Sequence, residues 1–206
     1  MNNGTKTEAA SGETSAEILT DREMFATALK PLGTLPADSY FIYGSTALDV
    51  REGRSVFGGE KVRFRGRDGM RDIDVGVFEN TIDWNTIRDV AQGILDNTGG
   101  IYCMDPHLVR CNGELAEIKG AVFPRCWLST EAVFMDGVEL SVIEPIPALM
   151  IRLLHGDPRV RDTKRIIREI ELLPNISALN DERIIYGLKE DLHLGDNPSR
   201  QNPEYL

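Results

Sequence analysis

Two carboxylates separated by one apolar residue, Asp72 and Asp74 in Arg71-Asp72-Ile73-Asp74-Val75-Gly76-Val77-Phe78, are the side chains in this sequence best spaced for chemistry. The alternation of acidic and apolar positions has the period of a β-strand. It turns both carboxylates to one face and Ile73, Val75 and Val77 to the other. Carboxylates held on one strand face repel each other unless a cation lies between them, and Mg²⁺ takes oxygen ligands of this kind. A solvated acidic edge would produce the same pattern, so the pair gains meaning from its neighbours. The first neighbour is Gly44-Ser45, which follows the aromatic and β-branched run Ser39-Tyr40-Phe41-Ile42-Tyr43 and precedes Thr46-Ala47-Leu48-Asp49-Val50. A strand that ends in Gly-Ser and opens a helix makes an anion seat, because glycine lets the backbone approach closely and the first-turn N–H groups point outward.

Charge is unevenly distributed. The 206 residues carry a formal net charge of −10, which argues against broad nucleic-acid binding. Two stretches run the other way. Residues 51–71 hold seven Lys/Arg against three Asp/Glu, and residues 152–168 hold six against two. Basic islands in an acidic chain mark local anion sites or solvated faces. Three cysteines, Cys103, Cys111 and Cys126, form an odd set, and no stretch reads as an export signal or a membrane span. Free thiols and a cytoplasmic location without membrane contact are therefore expected. With His107 the cysteines match no familiar zinc spacing, and no Ser or Cys motif supports acyl transfer.

The elements that must position these residues follow from periodicity. Residues 1–16 read as a disordered leader. Thr20-Asp21-Arg22-Glu23 opens a helix that Pro31 and Gly33 end, and Asp83 caps a second helix bearing Trp84, Ile87, Val90, Ala91, Ile94 and Leu95 on one face. Residues 101–111 and 114–123 read as two strands turning at Asn112-Gly113. Ala132–Met135 and Val138–Ile143 read as a pair turning at Asp136-Gly137. After Pro145 the pattern becomes helical: Pro147–Leu154, a helix opened by Asp157-Pro158 and carrying Val160, Ile166, Ile167 and Ile170, and a third from about Asn180 carrying Ile184, Ile185, Leu188 and Leu192. A domain over 17–145, a helical extension over 146–195 and a loose tail over 196–206 are expected.

A phosphate seat beside a divalent-metal site suits transfer of a nucleotidyl group. The order of parts, Ile42-Tyr43-Gly44-Ser45 and then Asp72-Ile73-Asp74, resembles the DNA polymerase β-like nucleotidyltransferase superfamily. Asp136-Gly137-Val138-Glu139-Leu140-Ser141-Val142, the helix Leu149-Met150-Ile151-Arg152-Leu153-Leu154 and Arg161-Asp162 look most like the toxin-type, abortive-infection members. The resemblance implies an α+β, nucleotidyltransferase-like mixed β-sheet flanked by helices, with a helical C-terminal extension. It implies Mg²⁺ or Mn²⁺ held by Asp72, Asp74 and a third acid on a later strand. That acid is Glu117 in the alignment, with Glu114 and Glu139 as alternatives. It implies an NTP, ATP or another, contacted by Gly44, Ser45, Arg54, Arg71 and Arg152, where Arg152 replaces the family's lysine. The acceptor hydroxyl could belong to tRNA, a protein or a small hydroxylated compound, and an antitoxin protein is a possible partner. Twenty-six residues separate Ser45 from Asp72, more than is usual in the family, and the excess is the basic island. Its Arg54, Lys61, Arg63, Arg65, Arg67 and Arg71 are candidates for triphosphate or acceptor contacts. The alternative is a catalytically weak or inactive protein that keeps the fold as a nucleotide- or protein-binding module.

Overall fold

The computed structural model describes residues 21–52, 71–155 and 163–195. Its centre is a seven-stranded mixed sheet in the order β5-β4-β3-β2-β1-β7-β6. The strands are β1 (Tyr40–Ile42), β2 (Arg71–Phe78), β3 (Tyr102–Asn112), β4 (Leu115–Ile118), β5 (Ala121–Pro124), β6 (Thr130–Met135) and β7 (Val138–Ile143). The helices are α1 (Asp21–Leu29), α2 (Gly44–Glu52), α3 (Trp84–Asn97), α4 (Pro145–Leu154), α5 (Thr163–Glu171) and α6 (Glu182–Gly195). This is the α+β arrangement expected, with β1, the Gly44-Ser45 turn, α2 and the acidic strand in sequence.

Hydrophobic period decides which helix covers which face. Ile73, Val75 and Val77 of β2 are buried together with Ile87, Val90 and Ile94 of α3, and Phe25 of α1 packs on Tyr102 at a ring-centroid distance of 5.8 Å. Asp83 caps α3 with its carboxylate accepting from the N–H groups of Asn85 and Thr86, satisfying two donors that a helix start leaves open. Because α3 carries the chain back across the sheet, β3 lies parallel to β2 and directly beside it. On the opposite face Phe41 lies over Gly76, where a Cβ would fall 2.5 Å from the phenyl ring.

Two expectations are corrected by this arrangement. The stretch 114–123 is two strands rather than one, because Lys119 and Gly120 both take positive φ (+49° and +77°) and reverse the chain. Trp84, Ile167, Ile185 and Leu188, assigned by periodicity to the apolar faces of their helices, are exposed. The Asp157-Pro158 helix opening, residues 1–16 and 196–206, and Arg54, Lys61, Arg63, Arg65 and Arg67 lie outside the described residues. No described helix is long and apolar enough to cross a membrane.

The helices after Pro145 pack as a small cluster, with Leu149 and Leu153 of α4 against Leu173 and Ile184. A buried ion pair ties α4 to α5: Nη2 of Arg152 lies 2.5 Å from Oε1 of Glu169, and the two side chains are only 3% and 2% exposed. A second tie, Arg168 to Asp49 and Glu52, fastens α5 to α2. Stripping one partner from a buried pair strands a charge in the interior, a far greater loss than exchanging both for apolar groups. Arg152→Met alone should therefore cost about 3–5 kcal/mol in urea unfolding, whereas Arg152→Met with Glu169→Met should unfold within about 1 kcal/mol of the parent.

Candidate functional site

The site is built where the end of β1 meets the first half of β2. The N–H of Tyr43 donates to the carbonyl of Asp74 at 3.1 Å, so the Gly44 turn begins directly beside that residue. Gly44 has φ +65°, a left-handed conformation that side-chain-bearing residues adopt at a cost. A Cβ there would also fall 2.5 Å from Oδ2 of Asp74. The glycine is thus required twice, once by the backbone and once by the carboxylate pressed against it. Ser45 sits in the first turn of α2, whose leading N–H groups have no acceptor within the helix.

The parallel register of β2 and β3 pairs Asp72 with Cys103, Asp74 with Asp105 and Gly76 with His107. Asp74, Asp105 and His107 each present a ligand atom, all within 4.8 Å of one another, a set that could hold a metal ion. Lys119, carried on the β4–β5 turn, places Nζ 3.5 Å from Oδ1 of Asp74 and 3.7 Å from Oδ2 of Asp105. The same ammonium lies 5.9 Å from the centre of the Tyr43 ring. Nε2 of His107 is 3.3 Å from Oδ2 of Asp105, and its ring stands edge-on to Tyr43 at 5.8 Å.

Burial governs the protonation of these groups. It raises the pKa of Asp74; Lys119 pulls the other way, and the charges of Asp105 and Asp72 add to the rise. Burial also pushes His107 down to about 4, helped by Lys119 and opposed by Asp105, so its imidazole is neutral at pH 7. Tyr43 is raised by burial and by the charges of Asp74 and Asp105, and it remains a phenol. Sγ of Cys103 lies 3.0 Å from Oδ1 of Asp72. Burial first, then that contact, pushes the thiol up to about 12, so it donates to Asp72 and is a poor nucleophile.

A cleft of about 470 Å³ opens in front of Gly44, Ser45, Asp74 and Lys119. Its far wall comes from α4 and α5, with Ile151, Arg152, His155 and Arg165 facing the turn. One wall therefore carries the Asp74 carboxylate and the glycine turn, and the other carries Arg165 in front of the buried Arg152–Glu169 pair.

Of the residues singled out by sequence, Gly44, Ser45, Asp74 and Arg152 line this cleft, and Asp72 lies two positions from Asp74 on the same strand face. Arg152 is also committed to Glu169. Arg71 belongs to the opposite face, where its guanidinium donates to the Tyr102 hydroxyl at 3.0 Å and lies over that ring. Glu117 is not brought to the aspartates. It pairs with Arg110, five positions along β3 from Asp105 and about 16 Å away at strand rise. The register also puts it on the other face, since its neighbour Ala116 pairs with Cys111, which shares the Asp105 face. Glu139 lies three positions before Val142, the partner of Ile42 on parallel β7, hence toward the start of β1 rather than at its Gly44 end. Glu114 is exposed in the β3–β4 turn.

The carboxylate the fold does bring beside Asp74 is Asp105. The available signal was connectivity: the helix capped by Asp83 must deliver the next strand to the acidic one. Pro106 follows Asp105, and proline is costly in a strand interior. Among the described residues β3 is paired on one side only until Arg110, which is where a missing N–H costs least. Lys119, His107, His155 and Arg165 carried no local motif.

The sequence matches no protein-family model, and no curated protein matches it. Among solved structures the chain is similar to the solution structure of the antibiotic-resistance factor ANT(2'')-Ia, with a TM-score of 0.43 and 18% identity. The match covers 88% of this chain and 95% of that one.

Two outcomes follow from the contacts of Asp74. Its ordinary pKa of 3.8 is raised by folding, so the folded chain holds the proton more tightly and the ionised form costs stability. Stability contributed at this residue then falls as pH climbs from about 3.8 through the raised value. In metal-free buffer Asp74→Asn should melt above the parent at pH 7, with the gap closing toward pH 4; a mutant melting below the parent at pH 7 would mean that Lys119 outweighs burial. Gly44→Ala should lose about 1–2 kcal/mol from its φ alone, and calorimetry with Mn²⁺ should register weaker binding because the Asp74 carboxylate has to move.

Proposed function

We propose that this chain is a metal-dependent nucleotidyltransferase that moves NMP from an NTP to a hydroxyl. The observation that carries the reading is that the Gly44 turn and Asp74 line one cleft, with Asp105 paired beside Asp74 and Arg165 on the far wall. The donor set fits a divalent cation such as Mg²⁺ or Mn²⁺. Two carboxylates and a neutral imidazole converge, and a cationic ammonium already lies against both acids. Asp72, Asp74 and Asp105 would hold the cation, with Asp105 in the role the sequence resemblance gives to a third acid. When bound, the cation offsets phosphate charge and favours attack at phosphorus.

The chain's own residues do the remainder. The first-turn N–H groups of α2 and the Ser45 hydroxyl cradle phosphate oxygens at the Gly44 turn. Arg165 faces the same space and balances the triphosphate charge, while Arg152, held by Glu169, backs the wall behind it. Asp105 accepts the proton of the acceptor hydroxyl as its oxygen bonds to the α-phosphorus and the bond to the β-phosphate breaks, releasing pyrophosphate. His107, neutral, orients Asp105 through Nε2. No covalent enzyme intermediate is needed. The order of parts extends the reading to a toxin-type enzyme acting in the cytoplasm on RNA, a protein or a small hydroxylated compound, held in check by an antitoxin protein.

The test is incubation with α-labelled NTPs, Mg²⁺ or Mn²⁺, and RNA, cell extract or a panel of hydroxylated compounds. Label transfer supports the enzyme, while tight nucleotide binding without transfer identifies a binding module instead. Within an active protein, Asp105→Asn should lower the rate on the order of 10²- to 10⁴-fold with the melting temperature retained, and Glu117→Gln should leave the rate within about twofold. The reverse ranking would restore Glu117 as the third acid.

A further inference from the structure

Lys119 occupies an unusual position for its chemistry. Its Nζ lies between the carboxylates of Asp74 and Asp105, at 3.5 Å and 3.7 Å, in the space that a bridging divalent cation would claim. The backbone that delivers it is not a comfortable one for lysine. Both residues of the β4–β5 turn have positive φ, a pair of conformations for which Asn-Gly is the favoured sequence, yet the first of them here is Lys119. A long side chain at φ +49° pays a conformational cost that asparagine would largely avoid. The other non-glycine residues with positive φ among those described are Asn80 and Asp136, the types that tolerate it. The strain at Lys119 coincides with a contact that spans the acid pair, and the Tyr43 ring supports the ammonium from the side.

We propose that Lys119 is an internal counter-cation that competes with divalent metal for Asp74 and Asp105, so that the metal site is closed at rest and opens when the ammonium leaves. The proposal rests on reading Asp74 and Asp105 as metal ligands. Without a cation the two carboxylates would repel across one strand spacing, and the ammonium removes that repulsion. An incoming metal must break both contacts before it can bind. Lys119, freed, faces the same cleft as Arg152 and Arg165, where phosphate oxygens give it new partners. Metal and polyphosphate therefore bind more tightly together than either does alone, because one releases the cation that the other accepts.

The test titrates Mn²⁺ into the full chain without nucleotide and follows free Mn²⁺ by electron paramagnetic resonance. Lys119→Asn is the informative variant, since asparagine suits the turn and the fold should survive. Lys119→Arg keeps the charge. The asparagine variant should bind Mn²⁺ roughly tenfold more tightly than the parent, as expected for removing one competing charge from half-buried carboxylates, and the arginine variant should stay near the parent. Adding inorganic pyrophosphate should tighten Mn²⁺ binding to the parent more than to Lys119→Asn. Unchanged or weaker Mn²⁺ binding by Lys119→Asn overturns the competition, and the metal site stands as long as Asp74→Asn still abolishes binding. Binding that Asp74→Asn leaves intact, or no binding by parent and Lys119→Asn alike, overturns the site itself and this proposal with it.

Discussion

The parallel pairing of β2 with β3 forces Asp74 and Asp105 to stand side by side, and most of the surrounding structure answers to that constraint. Two carboxylates at one strand spacing, partly withdrawn from water, are unfavourable unless compensated. Each neighbouring feature compensates in its own way. The turn after β1 has no side chain at Gly44, leaving room for the Asp74 carboxylate. His107 sits against Asp105 without adding positive charge. The β4–β5 turn takes a strained conformation that brings an ammonium to both acids.

The opposing wall is held by a different kind of interaction. Arg152 faces the cleft, yet its guanidinium is anchored to Glu169 inside the helical cluster. Arg168 fastens the same helix to Asp49 and Glu52 of α2, the helix that begins at Gly44. The two walls are thus connected through α2 and α5, with ion pairs tying the helix that begins at Gly44 to the helices of the opposing wall. Second-layer anchoring of this sort limits how far a binding group strays from its working position.

The fold was legible where period and punctuation agreed. Asp83 with the spacing of Ile87, Val90 and Ile94 defined α3, and the Asn112-Gly113 and Asp136-Gly137 turns defined two hairpins, because each rests on local backbone chemistry. The turn at Lys119-Gly120 escaped notice since lysine carries no turn signal, and the strand there was read through. The position of the site was legible in part for the same reason: Gly44-Ser45 and Asp72-Ile73-Asp74 are local patterns. Asp105 was not, because its place beside Asp74 is set by register between strands that α3 separates in sequence. The strand that carries it was read from the sequence, but nothing local marked Asp105 within it as the partner of Asp74. Glu117 had the better local context, apolar on both sides, and the wrong place in the sheet.

The contrast between the two charged contacts around the cleft has a consequence in ionic strength. Arg152 and Glu169 are shut away from solvent, so dissolved ions scarcely reach their field, whereas Lys119 is 29% exposed and its attraction to the acids is partly screened. Raising salt leaves the frame of the cleft in place while loosening the ammonium within it. The molecule therefore combines a scaffold indifferent to its electrolyte with an acid pair whose internal partner is held more or less firmly according to the surrounding medium.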